Sequence, residues 1–367
     1  MSTFLLSVSP VGVGTEEVES LNSLLFRLAT ANGLSIGQLL TLARRVRPHE
    51  NTAHHNNPDQ RPFDVRAQID AVEELSGNSD LTRLTYSPAS GLSGPGSQGA
   101  SRAVRAWCEQ CFAEDRSVER PMHDRLTWSS RFMMRCPFHR ILLRRNCPRC
   151  GSLQSASLRG KGFSKHGLDH CLRCAASLIG PSDLLQPEFK PFFGEVEVRE
   201  LVGAISTGEL TSTKASCLRD FYHSLDGSGP LQDEMTSEML PSIAHWQLPT
   251  ITNVVTTACK YQVSLVSLIL TPKLAAEQVN RFIFDSQFVP GRVRIKVEAL
   301  LLQSIRATLE AGLSAPPEHP IPTLAQVGSL FSMRSLSFAS LFPRLSEQYL
   351  ERTRRQAARM LELGLVE

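Results

Sequence analysis

Eight residues between positions 108 and 174 form two complete sets of metal ligands. Cys108-x2-Cys111 is answered by Cys136-x2-His139, and Cys147-x2-Cys150 by Cys171-x2-Cys174. Pairs spaced by two residues come off tight turns that aim two donor atoms at one ion, and structural zinc takes four such soft ligands in a tetrahedron. The pairs are separated by 24 and 20 residues, the second within the four-cysteine zinc spacing. Seven of the nine cysteines are used, which leaves Cys217 and Cys259 as ordinary thiols. The pattern predicts two structural Zn2+ ions.

Closed sites bear on catalysis. A zinc-dependent nuclease or hydrolase needs an open coordination position for water, and here both sets are filled by protein ligands. His123-Asp124, His166 and His170 lie between ligand pairs and read as loop residues, with His170 placed beside Cys171 to compete for the second ion. No G-x-x-x-x-G-K-[ST] occurs, so ATPase or recombinase chemistry belongs to partners. The expectation is a protein with no catalytic residue, the zinc hydrolase standing as the weaker alternative.

The turns that carry the ligands are marked by Pro137, Pro148 and Gly151, the glycine tolerating a left-handed bend. Trp128 and Phe132 are expected to form the small core of the first finger. Arg140, Arg144, Arg145 and Arg149 punctuate Ile141-Leu142-Leu143, giving a segment apolar inward and cationic outward. Residues 101–180 carry a net charge of +9 in a chain whose total is +3. Bound as two ions by seven thiolates, the metal would leave this region near +6, since ligating cysteines are deprotonated. A basic, metal-stiffened module suits the phosphate backbone of nucleic acid.

The rest of the chain must position that module. With 367 residues, 41% apolar and 20% charged, it is large enough for two or three cores. No apolar run approaches the roughly 20 residues that span a bilayer. The start, MSTFLLSVSPVGVG, lacks a basic n-region, which predicts no signal peptide and a reducing, cytoplasmic setting in which paired cysteines bind metal rather than form disulfides.

Leu21, Leu24, Leu25 and Leu28 recur at helical spacing, Asn32-Gly33 supplies a turn, and Ser35-x-x-Gln38 is a capping box for a second helix burying Ile36, Leu39, Leu40 and Ala43. Another helix is expected from Arg66 to Leu84. The predicted domains are 1–86, a helical helix-turn-helix-like unit; 87–101, a Gly/Ser-rich linker; 102–180, the tandem zinc-finger module; 181–240, a connecting region with a helical portion around Glu195 to Ile205; and 241–367, a helical domain. In the last, Pro249-Thr250 precedes Val254, Val255 and Ala258, and Ser264 caps Leu265 to Leu270. A further helix pair at Thr323 to Phe342 opens with Thr323-x-x-Gln326 and stops at Pro343, with Arg334, Ser335 and Ser337 facing outward on its second helix. A terminal amphipathic helix carries Arg352, Arg354, Arg355 and Arg359. The fold class is therefore mainly α with small zinc-ribbon β elements, helix-turn-helix bundles flanking the fingers.

These residues carry a resemblance. Glu19-Ser20-Leu21, Arg27-Leu28-Ala29 and Asn32-Gly33-Leu34-Ser35 resemble the opening motif of the TniQ family of transposition proteins. Trp107-Cys108-x2-Cys111, Trp128, Cys136-Pro137-x-His139 and Cys147-Pro148-x-Cys150-Gly151 are similar to its zinc-finger signature. Leu248-Pro249 and Ser332-x3-Leu336-x5-Phe342-Pro343-x-Leu345 resemble the longer, TnsD-like members, with Phe331 standing where that pattern has Gly. The resemblance implies a target selector in DNA transposition rather than a catalyst. Such a protein recognises a DNA site and recruits an AAA+ ATPase regulator that brings transposase subunits, in the bacterial cytoplasm and at the nucleoid when bound. It also implies the alternative of a protein–protein bridge to a CRISPR effector complex with little DNA specificity of its own, and a homodimer through the N-terminal helices.

Overall fold

The structure, a computed structural model, describes residues 5–46, 66–92, 101–102, 104–156, 167–180, 194–225, 251–285, 305–316 and 341–362, with scattered positions in 321–327. Helices dominate, as the hydrophobic periodicity predicts. Among the described residues the β structure consists of isolated antiparallel bridges, most of them inside the cysteine-rich module.

Helix α1 (Leu21–Ala31) opens at Ser20, whose side chain accepts from the Ser23 N–H, and buries Leu21, Leu24, Leu25 and Leu28. It ends where the Leu34 N–H returns to the Ala29 carbonyl at 2.8 Å, with Gly33 at φ +66. A Cβ at Gly33 would meet nothing, so glycine is required there by the backbone angle alone. Helix α2 (Ile36–Val46) then starts on the expected capping box: Ser35 N–H donates to Gln38 Oε1 (2.8 Å) and Gln38 N–H to Ser35 Oγ (3.2 Å). Helix α3 (Arg66–Ser76) packs on α2. Leu81–Leu84 and Ser87–Leu92 are short 3-10 helices, and the second buries Pro88, Ala89 and Leu92. The first six residues of the expected linker are therefore packed structure; residues 93–100 lie outside the described residues.

In the module, α4 (Glu109–Ser117) and the single turn α5 (Leu126–Ser129) frame a core of Trp107, Phe112, Trp128 and Phe132, none more than 1% exposed. Phe112 meets Trp128 edge-on at 5.6 Å between ring centroids. The N-terminal helices are joined directly to this core. Ser20 N–H donates to Asp124 O (2.8 Å), Leu126 N–H to Val18 O (2.7 Å), and Tyr86 Oη to Leu126 O (3.1 Å).

The stretch read as a connector holds α6 (Glu195–Thr207) and α7 (Cys217–Ser224). Helix α6 is a hub. Its Arg199 pairs with Glu16 near the N-terminus, Glu195 accepts the Arg135 N–H of the module at 3.0 Å, and Glu200 accepts the Leu265 N–H at 3.0 Å. Beyond it, α8 (Ile251–Tyr261) and α9 (Leu265–Leu270) repeat the α1–α2 turn: Val263 N–H reaches Ala258 O at 3.1 Å, Gln262 takes the left-handed angle (φ +53), and Ser264 caps α9. Helix α10 (Pro272–Asp285) packs on α7 and α9. Residues 305–314 form α11. Pro343, expected to stop a short helix, is the first residue of α12 (Pro343–Glu362), where its missing N–H costs nothing. Tyr349 of α12 is buried against Gly312, where any Cβ would strike its ring. Residues 328–340, which include Arg334, Ser335 and Ser337, lie outside the described residues.

Candidate metal centres

The eight ligand residues gather into two groups. Cys108, Cys111, Cys136 and His139 form one, and Cys147, Cys150, Cys171 and Cys174 the other, with ligand atoms within 4.8 Å of one another in each. None of the nine cysteines is paired in a disulfide in this structure.

Three of the four ligand pairs sit on one recurring turn. In each, the first cysteine accepts a backbone bond from the residue after the second ligand: Arg140 N–H to Cys136 O (2.8 Å), Gly151 N–H to Cys147 O (2.9 Å) and Ala175 N–H to Cys171 O (3.0 Å). Those donors all take left-handed angles, φ +58, +70 and +56. The turn wraps both donor atoms around a point, and only at Gly151 does the residue type suit the angle without strain. Cys108 and Cys111 are presented differently. Cys108 is the N-cap of α4, and its sulfur accepts from the Cys111 N–H, so the positive end of a helix faces that cluster.

The dimensions fit a metal. In the second cluster Cys147 and Cys174 are 3.7 Å apart between sulfurs, as are Cys150 and Cys171. A tetrahedron with metal–sulfur arms of about 2.3 Å has edges near 3.8 Å. In the first cluster His139 Nδ1 lies 3.4, 3.3 and 3.5 Å from the sulfurs of Cys108, Cys111 and Cys136. A shorter nitrogen arm of about 2.0 Å brings the expected edge near 3.5 Å. The far side of the ring is also engaged: Nε2 lies 2.7 Å from Glu114 Oε1.

In the second cluster the protein itself favours a thiolate at Cys171, while burial pushes the Cys147 thiol up to about 12 and the Cys174 thiol up as well. Burial pushes the Cys171 thiol up, but the backbone N–H groups of Cys174 and Arg173 and the Ser152 hydroxyl together outweigh it and bring it down to about 6. Gln154 Nε2 approaches the same sulfur at 3.4 Å while its Oε1 accepts the Leu172 N–H at 2.9 Å. A dense set of donors around one sulfur stabilises its charge before and after metal binds.

Sequence reasoning placed no role on Glu114 or Gln154. Glu114 had a legible signal, standing three residues after Cys111 on the same helix; Gln154 had none, because it reaches Cys171 across the fold. His170 does not join the second cluster. Its Nδ1 is held at 2.8 Å by Asp169, which also pairs with Arg116. His123 is fully buried beside Asp115 and donates to or accepts nothing at Nε2. Burial, with Arg125 adjacent, depresses its pKa to about 4.

The arginines divide into two sets. Arg105 clasps Asp124 at 2.6 and 2.8 Å, and Arg125 meets Asp115 at 3.3 Å through two nitrogens. Arg144, expected to face outward, instead turns to the buried Glu109, with Nη2–Oε1 at 3.2 Å. The cause is that carboxylate, which needs a counter-charge once out of water. Arg145 is half-buried, with the Tyr349 phenol of α12 nearby. Arg140 and Arg149 are exposed and have no ion-pair partner among the described residues. Arg173, which sequence reasoning did not single out, shares both properties.

None of the described helices is long and apolar enough to cross a membrane. Residues 10–143 match the family model TniQ, a span that runs from the segment before α1 through the first cluster and ends between the two clusters. Against the curated proteins the chain gives no match.

Proposed function

We propose that this TniQ family transposition protein selects the target site for DNA transposition, as a zinc-containing DNA-binding adaptor that recruits an AAA+ transposition regulator. A TniQ domain carries a role in transposition, typically in choosing the target. The observation that supports the finer reading is the pair of closed four-ligand sets in a module that carries exposed arginines on its ligand turns. Three thiolates and one imidazole fill the four corners of the first set and four thiolates those of the second, so a bound ion is structural and the surface around it does the recognising.

Zinc is the ion we assign to both sites, because sets of four soft ligands at tetrahedral spacing select it. Bound there, it supplies charge neutralisation and cross-linking of turns too small to hold a core. The chain's own residues do the rest. Arg140 and Arg149 are the phosphate contacts; Arg144 and Arg145 support the same segment from within. Arg334, Ser335 and Ser337 are assigned to base or backbone contact in the C-terminal domain of a longer, TnsD-like member. The partners are DNA, the ATPase regulator and, through it, transposase subunits, and the protein itself is no enzyme.

The test is duplex binding by the zinc-loaded chain to fragments tiled across its native locus at several salt concentrations. Tight binding to one fragment at physiological salt supports a self-sufficient site selector. Weak, uniform binding erased by salt would assign target finding to another component, such as an RNA-guided complex, and make this chain the bridge.

A further inference from the structure

Among the described residues, most arginines of the cysteine-rich module are committed internally. Arg105, Arg116, Arg125 and Arg144 each face a carboxylate that is largely buried, so their charge is balanced before any partner arrives. Arg149 and Arg173 differ, and they differ in the same way. Each is the third residue of a ligand turn, Cys147-Pro-Arg-Cys150 and Cys171-Leu-Arg-Cys174, and both turns belong to one cluster.

The two turns are local copies of each other. Arg149 N–H donates to Cys147 Sγ at 3.4 Å, and Arg173 N–H donates to Cys171 Sγ at 3.4 Å. Each turn closes on the next-but-one residue with a left-handed angle, at Gly151 and Ala175. The main chain of both arginines is thereby fixed by ligands on either side, while both residues are exposed and have no ion-pair partner among the described residues. Two arginines rooted on equivalent, backbone-fixed turns of one ligand set make a cationic surface at that cluster. Guanidinium forks match phosphate oxygens bidentately, and rigid placement lowers the entropy lost on contact.

We propose that Arg149 and Arg173 together grip the phosphate backbone of duplex DNA, Arg173 being the second half of a contact of which Arg149 is the first. The inference rests on the DNA-binding reading above and specifies the surface that serves it. Duplex backbone is favoured over single-stranded nucleic acid because unpaired bases are held by stacking. The large apolar side chains exposed among the described residues, Leu153 near this cluster included, are all aliphatic.

The experiment uses the full zinc-loaded chain and the variants Arg149→Gln, Arg173→Gln and the double substitution. Because the cluster is held by cysteine side chains and arginine backbone N–H groups, each variant keeps two zinc ions, checked by metal analysis. Duplex affinity is measured by fluorescence anisotropy between about 50 and 200 mM salt, on a preferred and a scrambled sequence. Each single variant should flatten the log–log salt dependence by about 0.9, the double by about twice that, with both sequences weakened alike. A double variant with two zinc ions and the wild-type slope would overturn the pair while leaving the DNA reading intact. Loss of RNA or acidic-protein binding with duplex binding unchanged would overturn it too. A wild-type chain with no salt-dependent duplex binding would overturn both.

Discussion

Glu114 Oε1 stands 2.7 Å from His139 Nε2, on the opposite side of the imidazole from the three sulfurs of the first cluster. The carboxylate fixes the ring so that Nε2 carries the hydrogen and Nδ1 presents its lone pair to the metal. A single turn of α4 separates Cys111 from Glu114, so one helix supplies both a ligand and the group that orients another. Outer-sphere partners of this kind raise ligand basicity and metal affinity.

Glu114→Ala should therefore weaken zinc binding at the first cluster by about 10–100-fold while leaving the second unchanged. Chelator competition on the wild type and variant resolves the two sites. Equal loss at both would mean that the substitution acts on the fold and not on His139. Glu114 is 64% exposed, so its removal leaves no buried hole.

Cys147→Ser should leave the chain with one tightly bound zinc and a disordered second cluster, because in such small units binding energy and folding energy are one quantity. Metal analysis counts the ions, and hydrogen exchange locates the loss. Retention of two zinc ions with unchanged exchange would refute the ligand assignment. The first cluster should persist, since its core of Trp107, Phe112, Trp128 and Phe132 is tied to the N-terminal helices through Ser20 and Leu126.

The left-handed closures give a pair of opposed expectations. Ala175, at φ +56, bears a Cβ that the angle disfavours, and Gly151, at φ +70, does not. Ala175→Gly should stabilise the second cluster by up to about 1 kcal/mol, and Gly151→Ala should destabilise it by about as much. Thermal unfolding of the zinc-loaded protein, run in parallel for both, checks the sign. Destabilisation by Ala175→Gly would show that the unfolded-state entropy of glycine outweighs the strain.

His123 sets a pH signature. Its folded pKa of about 4 lies below the ordinary 6.5, so the folded state binds fewer protons than the unfolded one between those values. Stability from this group is complete above pH 6.5 and is lost as pH falls toward 4, by roughly 3 kcal/mol in all. NMR titration should show the His123 ring neutral at pH 5, where an ordinary histidine is charged. His123→Gln should make stability less steep between pH 6.5 and 4. A His123 midpoint near 6.5 would contradict the burial argument.

The ligand sets were legible because the metal demands particular donor types at fixed short spacing, a constraint written entirely within local sequence. The same holds for α1 and α2, where the leucine period, Gly33 and the Ser35–Gln38 capping box all act within one or two turns. Charge was legible only as a sum. Whether an arginine faces water or a buried carboxylate depends on residues distant in the chain: Arg144 is turned inward by Glu109, Arg116 is matched by Asp169, and Arg149 and Arg173 are exposed with no ion-pair partner among the described residues.

Tertiary structure also decided what the featureless middle of the chain is for. Nothing in the residues of α6 announces that Arg199, Glu195 and Glu200 hold the N-terminal segment, the cysteine-rich module and the α8–α9 pair at once. Nor does the composition of Ser87–Leu92, rich in small and turn-forming residues, reveal that Leu92 is buried. Ligand type, turn angle and helix period are local quantities, fixed by neighbouring residues through short-range sterics and coordination. Charge pairing and the burial of short apolar stretches are settled only when distant segments meet, because desolvation is set by the company a side chain finally keeps.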